Sequence, residues 1–336
     1  MIPCSINTCH NLEWKKQLAQ AVTSPAELLS ILNLKSDELG LGKATELFGM
    51  KVPHAFIARM EKNNPKDPLF LQVWPEDKEF ELADGFSKDP LQEQSANPIP
   101  GLLHKYGSRV LTISAASCAV NCRYCFRRHF PYDEQKYGDS NWQDWLDYVT
   151  KHPEINEIIL SGGDPLLLSD EKLSRLFNRI SSLPQIKRVR IHSRLPLVIP
   201  NRITQDFLEL CTSVGFRVIL VWHINHANEI DQHVKEAAEK CHAANIMQLN
   251  QSVLLKGVND TCQQLQSLSE KLFDCMIQPY YLHTLDPVQG AAHFELPESV
   301  IRDIYSELLA SLPGFLVPKL VKEEANRRSK TPLLLS

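Results

Sequence analysis

The chain has 336 residues, 43% hydrophobic and 23% charged, with a formal net charge of −4. That balance belongs to a soluble globular protein of one large domain or two ordinary ones, and it supplies no global basic field for nucleic acid or an anionic membrane. No apolar run approaches the roughly 18 residues that span a bilayer, and residues 1–10 lack the basic stretch and apolar core of a secretory signal.

Residues 1–100 read as an N-terminal helical and extended region. Helices are predicted over Asn11–Val22 and Ser24–Leu34. The second opens on Ser24-Pro25-Ala26-Glu27, which combines a cap, a first-turn proline and a capping-box glutamate. Residues 63–100 are rich in Asp, Glu and Gln and carry Pro65, Pro68, Pro75, Pro90, Pro98 and Pro100. They read as an extended wrap or linker.

From Arg109 short β-branched runs alternate with helical patterns. Strands are predicted at Arg109–Ser114, Glu157–Leu160, Arg188–His192, Arg217–Trp222, Met247–Val253 and Met276–Tyr281. Helices are predicted at Trp142–Thr150, Asp170–Ser182, Thr204–Val214, Glu229–Ala243, Cys262–Phe273 and Pro297–Leu309. Strand-then-helix units argue for an α/β fold, a parallel sheet with helices outside it. Right-handed crossovers curl such a sheet, and six units fall short of the eight of a closed TIM barrel. The expectation is a partial, crescent-shaped (β/α)6 TIM-like barrel over 101–312, followed by a C-terminal segment over 313–336.

The nine cysteines are odd in number and mostly scattered. Without an export signal they suit a reducing cytoplasm better than a disulfide framework. Three are not scattered: Cys118, Cys122 and Cys125 form C-x3-C-x2-C directly after the first predicted barrel strand. Three thiolates ligate three irons of a four-iron cluster and leave the fourth iron open to a chelating ligand. The alternative is a zinc site completed by His129, although no second Cys-x2–4-Cys clip exists. After the second barrel strand comes Ser161-Gly162-Gly163-Asp164-Pro165. Its paired glycines permit close backbone approach to a ligand, or form a plain turn. His223 and His226 are placed together at the end of the fourth barrel strand as hydrogen-bonding candidates. Tyr280 and Tyr281 are expected to divide between core and pocket wall by strand alternation.

With Tyr124 before its last cysteine, the triplet resembles the radical S-adenosylmethionine (SAM) signature C-x3-C-x-aromatic-C. Over roughly residues 100–333 the chain resembles the lysine 2,3-aminomutase family. The resemblance is carried by Cys118–Arg128, Ser161–Leu166, His192-Ser193-Arg194-Leu195-Pro196, the run from His223 to Glu229, the run from Gln251 to Asp260, and Pro279-Tyr280-Tyr281. Because the chain stops soon after Lys330, it looks like the short bacterial form that makes (R)-β-lysine for elongation factor P.

The resemblance implies an isomerase of the radical SAM type. SAM at the open iron yields a 5′-deoxyadenosyl radical, which removes a hydrogen from the β-carbon of the substrate. The amino group then migrates as an imine of pyridoxal 5′-phosphate (PLP). Cys118, Cys122 and Cys125 are implied as cluster ligands, and Ser161, Gly162, Gly163 and Asp164 as the surroundings of SAM and PLP. Lys330 matches the lysine that holds PLP as a Schiff base, although the family's glycine run before it is replaced here by residues 324–329. Lys105 and Arg109 match basic positions near the PLP phosphate. Arg127 matches the arginine for the substrate carboxylate; read alone it is as readily a surface arginine beside Arg123 and Arg128. Asp286 and Glu323 match the acids for the substrate's ammonium, with glutamate replacing the family's second aspartate. Two acids favour lysine as substrate over glutamate. The implied partners are L-lysine, an electron donor such as flavodoxin or ferredoxin, elongation factor P with its β-lysine ligase, and further copies of this chain in a homo-oligomer. Nucleic acid and membrane are not among them. A zinc or iron–sulfur binding protein without catalysis is the alternative outside the aminomutases.

Overall fold

The computed structural model describes residues 6–39, 42–132, 135, 139–325 and 327–333. Cys4, the first half of the stretch weighed as a signal, and Asn326 lie outside them. Among the described residues no helix is long and apolar enough to cross a membrane.

One sheet organises the chain. Its strands are β1 (Leu102–Tyr106), β2 (Arg109–Ala115), β3 (Glu157–Gly162), β4 (Arg188–Ser193), β5 (Arg217–His223), β6 (Met247–Val253), β7 (Gln278–His283), β8 (Lys319–Lys322) and β9 (Thr331–Pro332). They lie side by side in sequence order. From β2 to β8 every pairing is parallel. β1 and β9 add antiparallel edges. The sheet is not closed, so the expected crescent is the observed architecture.

All six predicted strand–helix units occur, and β8 adds a seventh parallel strand after the last helix. The helices Asp139–Lys151, Asp170–Ser181, Gln205–Thr212, Gln232–Ala243, Cys262–Asp274 and Glu298–Ser311 cover the outside. Four of them begin on an oxygen side chain that accepts a backbone N–H three residues on: Ser169, Thr204, Asp231 and Thr261. Asp231 explains why the fourth helix starts later than the predicted Glu229. Glu229 instead forms a short 3-10 turn and is fully buried. Likewise β7 begins after Met276, which takes a left-handed φ of 58° in the turn leaving the preceding helix.

The N-terminal region shares the barrel's core. A single cluster of buried side chains runs from Trp14, Leu28 and Phe56 through Phe70 and Trp74 to Ile158, Leu220 and Ile277. The stretch 63–100 is therefore no linker. Asp67 caps the turn Pro68–Leu71, with Pro68 at its first position. Leu69, Phe70, Val73 and Trp74 are buried, as are the polar Gln72, Glu79 and Glu93. The partners of Glu79 and Glu93 are distant in sequence, at Arg123 and Arg127.

Candidate active site

A cavity of about 270 Å³ lies within the crescent, lined from the interior and C-terminal ends of its strands. Cys118, Cys122, Cys125, Arg127, Ser161, Gly162, Gly163, Asp164, Lys105, Arg109, Asp286, Glu323 and Lys330 all line it. Every candidate site residue thus meets in one place.

The cysteine loop is held from behind by buried charge. Arg123 donates to Glu79 through Nε at 2.7 Å and Nη2 at 2.6 Å, and Arg128 also donates to Glu79. Arg123, Arg127 and Arg128 are 0%, 6% and 8% exposed, so the surface basic patch is not formed. Leaving such an arginine without its carboxylate would cost several kcal/mol, roughly 3–5. Burial pushes the Cys118 thiol well up, with Asp164 and the other two thiols adding to it. Burial and neighbouring Cys122 push Cys125 up to about 11. Ionising these thiols would crowd negative charge here, and a bound cation relieves that crowding. His129 does not line the cavity; its Nε2 lies 3.1 Å from the Gln289 carbonyl. Among the described residues no three His, Cys, Asp or Glu side chains converge on one ion, and a cluster taking one thiolate per iron needs no such convergence.

The glycine pair is required by the cysteine loop. A Cβ on Gly163 would stand 2.3 Å from the Ser117 carbonyl oxygen, and Gly162 has φ +106°. Gly163→Ala is expected to push Ser117 and Cys118 outward and cost about 1–3 kcal/mol. Lowered Tm together with reduced iron content after reconstitution checks this; full iron content at wild-type Tm would refute it. Asp164 lines the cavity and also ties the protein together. It accepts from Leu166 N, Ser193 Oγ, Arg194 N and Leu195 N at 2.7–3.0 Å, tying the β3 and β4 ends together.

At the other end Lys330 is ion-paired with Glu323. Glu323 Oε1 also faces Lys105 Nζ at 3.5 Å and accepts from Tyr106 Oη at 3.3 Å. Burial pushes Glu323 up, but the Lys330 and Lys105 ammoniums outweigh it and bring it to about 2. At Asp286 the same two ammoniums do not outweigh the opposing effects. Burial, and then the Glu323 carboxylate, raise it to about 7. Arg109 lies over the Tyr106 ring, 4.2 Å from its centre.

Several lining residues received no site role from the sequence. Glu93 takes Arg127 in a fork, from Nε at 2.7 Å and Nη2 at 2.9 Å. Arg194 donates to Cys122 Sγ at 2.7 Å, Tyr124 Oη at 2.7 Å, Gln72 Oε1 at 2.6 Å and Glu229 Oε2 at 2.9 Å. His192 and His283 line the cavity, and burial pushes both imidazoles well down, so they are neutral. The alternation Arg188, Arg190, His192 along β4 was the available signal. These positions are partly open while Val189, Ile191 and Ser193 are buried.

Two expectations are corrected. His223 lines the cavity and its Nε2 lies 2.9 Å from Tyr124 Oη, but His226 is spent capping the Ala227–Glu229 turn. Tyr280 and Tyr281 both line the cavity, with ring centres 3.9 Å apart. The register slips between Asn250 and Gln251, which face Pro279 and Tyr281. That bulge leaves Tyr280 unpaired and cancels the alternation.

An open parallel crescent with three thiols of a C-x3-C-x2-C loop at its strand ends defines a radical SAM protein, and the Radical SAM superfamily profile matches residues 112–266. The chain is 51% identical to the L-lysine 2,3-aminomutase of Escherichia coli, over 98% of this chain and 96% of that one. It is 50% identical to the Haemophilus influenzae L-lysine 2,3-aminomutase over 95% and 94%. For that of Clostridium subterminale the figures are 32%, 96% and 78%. The chain belongs to the L-lysine 2,3-aminomutase family. This is a family of isomerases, and membership implies a four-iron cluster, SAM and PLP.

The residues present fit those groups. Three mutually crowded thiols share the cavity with a primary amine on Lys330. Within it His192 Nε2 and Arg194 Nε are buried polar atoms without a hydrogen-bond partner among the described residues, which suits them to a polar ligand.

Proposed function

We propose that this protein converts L-α-lysine to (R)-β-lysine. The observation that carries this is one cavity with cluster-type thiols, an amine-bearing lysine, an arginine and two acids arranged around it. When bound, the cluster with SAM supplies a 5′-deoxyadenosyl radical, and PLP supplies the π-system across which the amino group moves.

The chain's own residues bind and orient. Cys118, Cys122 and Cys125 hold the cluster. Gly162 and Gly163 bring backbone against the Cys118 loop and leave Ser161 facing the cavity. Lys330 holds PLP, with Lys105 and Arg109 as the cations for its phosphate. Arg127 receives the substrate carboxylate, as a guanidinium does in two parallel hydrogen bonds. Asp286 and Glu323 receive the distal ammonium. A glutamate side chain would meet two acids there, which disfavours the glutamate alternative. The product serves elongation factor P through a separate ligase, in a cytoplasmic setting. A flavodoxin or ferredoxin supplies the electron, and the chain acts as a homo-oligomer. These links rest on the family resemblance.

Anaerobic turnover tests the reading directly. Protein reconstituted with iron, sulfide and PLP, given SAM, reductant and L-lysine, is expected to yield (R)-β-lysine. Full iron and PLP loading with no β-lysine would sink it.

Asp286 adds a pH dependence. In the PLP-free protein its pKa is raised to about 7, whereas the lysine ε-ammonium stays charged to roughly pH 10. The ammonium binds the carboxylate, so binding below about pH 7 must first expel a proton. Affinity is therefore expected to rise with pH up to about 7, by at most about tenfold per unit, and then level off. Calorimetry in buffers of differing ionisation enthalpy reads the released proton. Asp286→Asn should flatten the profile, and an unchanged slope in that variant removes Asp286 from the ammonium site.

A further inference from the structure

Arg127 is not a free guanidinium waiting for a carboxylate. Glu93, from the proline-rich stretch before the barrel, already holds its Nε–Nη2 edge at 2.7 and 2.9 Å. Nη1 reaches Ser161 Oγ at 3.1 Å and the Gly162 carbonyl at 3.5 Å. The Phe126 and Phe130 rings stand 4.8 and 5.9 Å from its central carbon. Its orientation is therefore fixed before any ligand arrives. What remains for a carboxylate is the end-on Nη1–Nη2 edge, reached by giving up the long Gly162 contact.

Glu93 also reaches further. Its Oε1 accepts from Lys105 Nζ at 3.1 Å, and Lys105 in turn faces Glu323 at 3.5 Å. Arg127, Glu93, Lys105, Glu323 and Lys330 thus form a wall of alternating charge along the cavity. One buried carboxylate between two cations leaves a net single positive charge, which one substrate carboxylate neutralises. Without it, Lys105 would keep Glu323, but Arg127 would lose its buried carboxylate and be released to rotate.

We propose that Glu93 is a positioning residue that orients Arg127 for the α-carboxylate and thereby sets the selectivity of the pocket for an amino acid over a plain diamine. The proposal deepens the function proposed above and rests on its assignment of Arg127.

Binding of L-lysine and of 1,5-diaminopentane, which lacks only the carboxylate, is measured on iron- and PLP-loaded protein by calorimetry and by the change in cofactor absorbance. Wild type is expected to prefer lysine. Glu93→Gln keeps the size and one acceptor oxygen but removes the charge. It should cut that preference about tenfold or more while leaving diamine affinity within about twofold, as for a lost charge-assisted contact. A parallel fall in both affinities indicates general damage and overturns the proposal, as does an unchanged preference. If Glu93→Gln fails to load iron and PLP, Glu93→Asp is read by the same criterion; it keeps the charge but falls a methylene short of the fork. Arg127→Met separates the two readings. Preference lost in Arg127→Met but kept in the Glu93 variants refutes this proposal alone. Preference intact in Arg127→Met refutes the Arg127 assignment beneath it.

Discussion

Cys122→Ser is expected to abolish turnover and drop iron content after anaerobic reconstitution well below that of wild type. Serine is a poor ligand for a soft iron site, because the thiolate's polarisable sulfur is replaced by a hard, weakly acidic hydroxyl. The fold should survive. The Cys122 side chain is only partly buried and accepts from Arg194 Nη1 at 2.7 Å, a bond that a hydroxyl oxygen can also receive. Arg194 keeps its bonds to Tyr124, Gln72 and Glu229 in any case. The decisive pairing of measurements is iron content with PLP absorbance. Iron should fall while PLP loading stays near wild type, because Lys330 belongs to the opposite end of the cavity. A variant that retains a full four-iron spectrum and turnover would remove Cys122 from the cluster.

Lys330→Ala should give the reciprocal result. Iron loading stays near wild type, borohydride no longer fixes PLP to the chain, and turnover falls to background. The reason is that, among the described residues, no other lysine amine meets the cavity on equal terms. Lys105, the other lysine that lines it, is held between Glu93 and Glu323. Loss of Lys330 also withdraws the main cation beside Glu323, whose carboxyl then moves up from about 2. In the PLP-free protein, where Lys330 is a free ammonium, that low value keeps Glu323 ionised across the neutral range. The sign follows from the depressed value: the stability contribution is present above the ordinary carboxyl range and is lost as pH falls toward 2. In Lys330→Ala this acid-range loss should shift to higher pH, as read by Tm between about pH 3 and 6. PLP still trapped by borohydride in the variant would place the attachment elsewhere.

Much of this site was legible residue by residue. Cys118, Cys122 and Cys125 are adjacent, so a local spacing states their common purpose. Asp164 and the glycines announced a tight turn, though the structure gives Asp164 a tying role between β3 and β4. Glu79, Gln72 and Glu93 were not legible, because a polar side chain in a proline-rich stretch looks solvated until its arginine is found dozens of positions away or more. The tyrosine pair misled for a different reason. Strand alternation is a rule for regular pairing, and one slipped register beside Pro279 was enough to put both rings into the cavity. β8 and β9 were also missed, since four and two residues carry too little periodicity to be read.

The amino-acid order by itself determined the alternation of strands and helices, the open crescent and the thiol triplet. Each of these is encoded by neighbours a few positions apart, through side-chain period, capping and spacing. Only the tertiary structure decided which carboxylate stands against which cation. Those pairings join residues far apart in the chain, and burial makes them strong enough to fix Arg127, to lower Glu323 and to leave Asp286 raised near neutrality. A charge acquires its chemical role from the dielectric and the opposite charge around it, and neither is written in its immediate sequence.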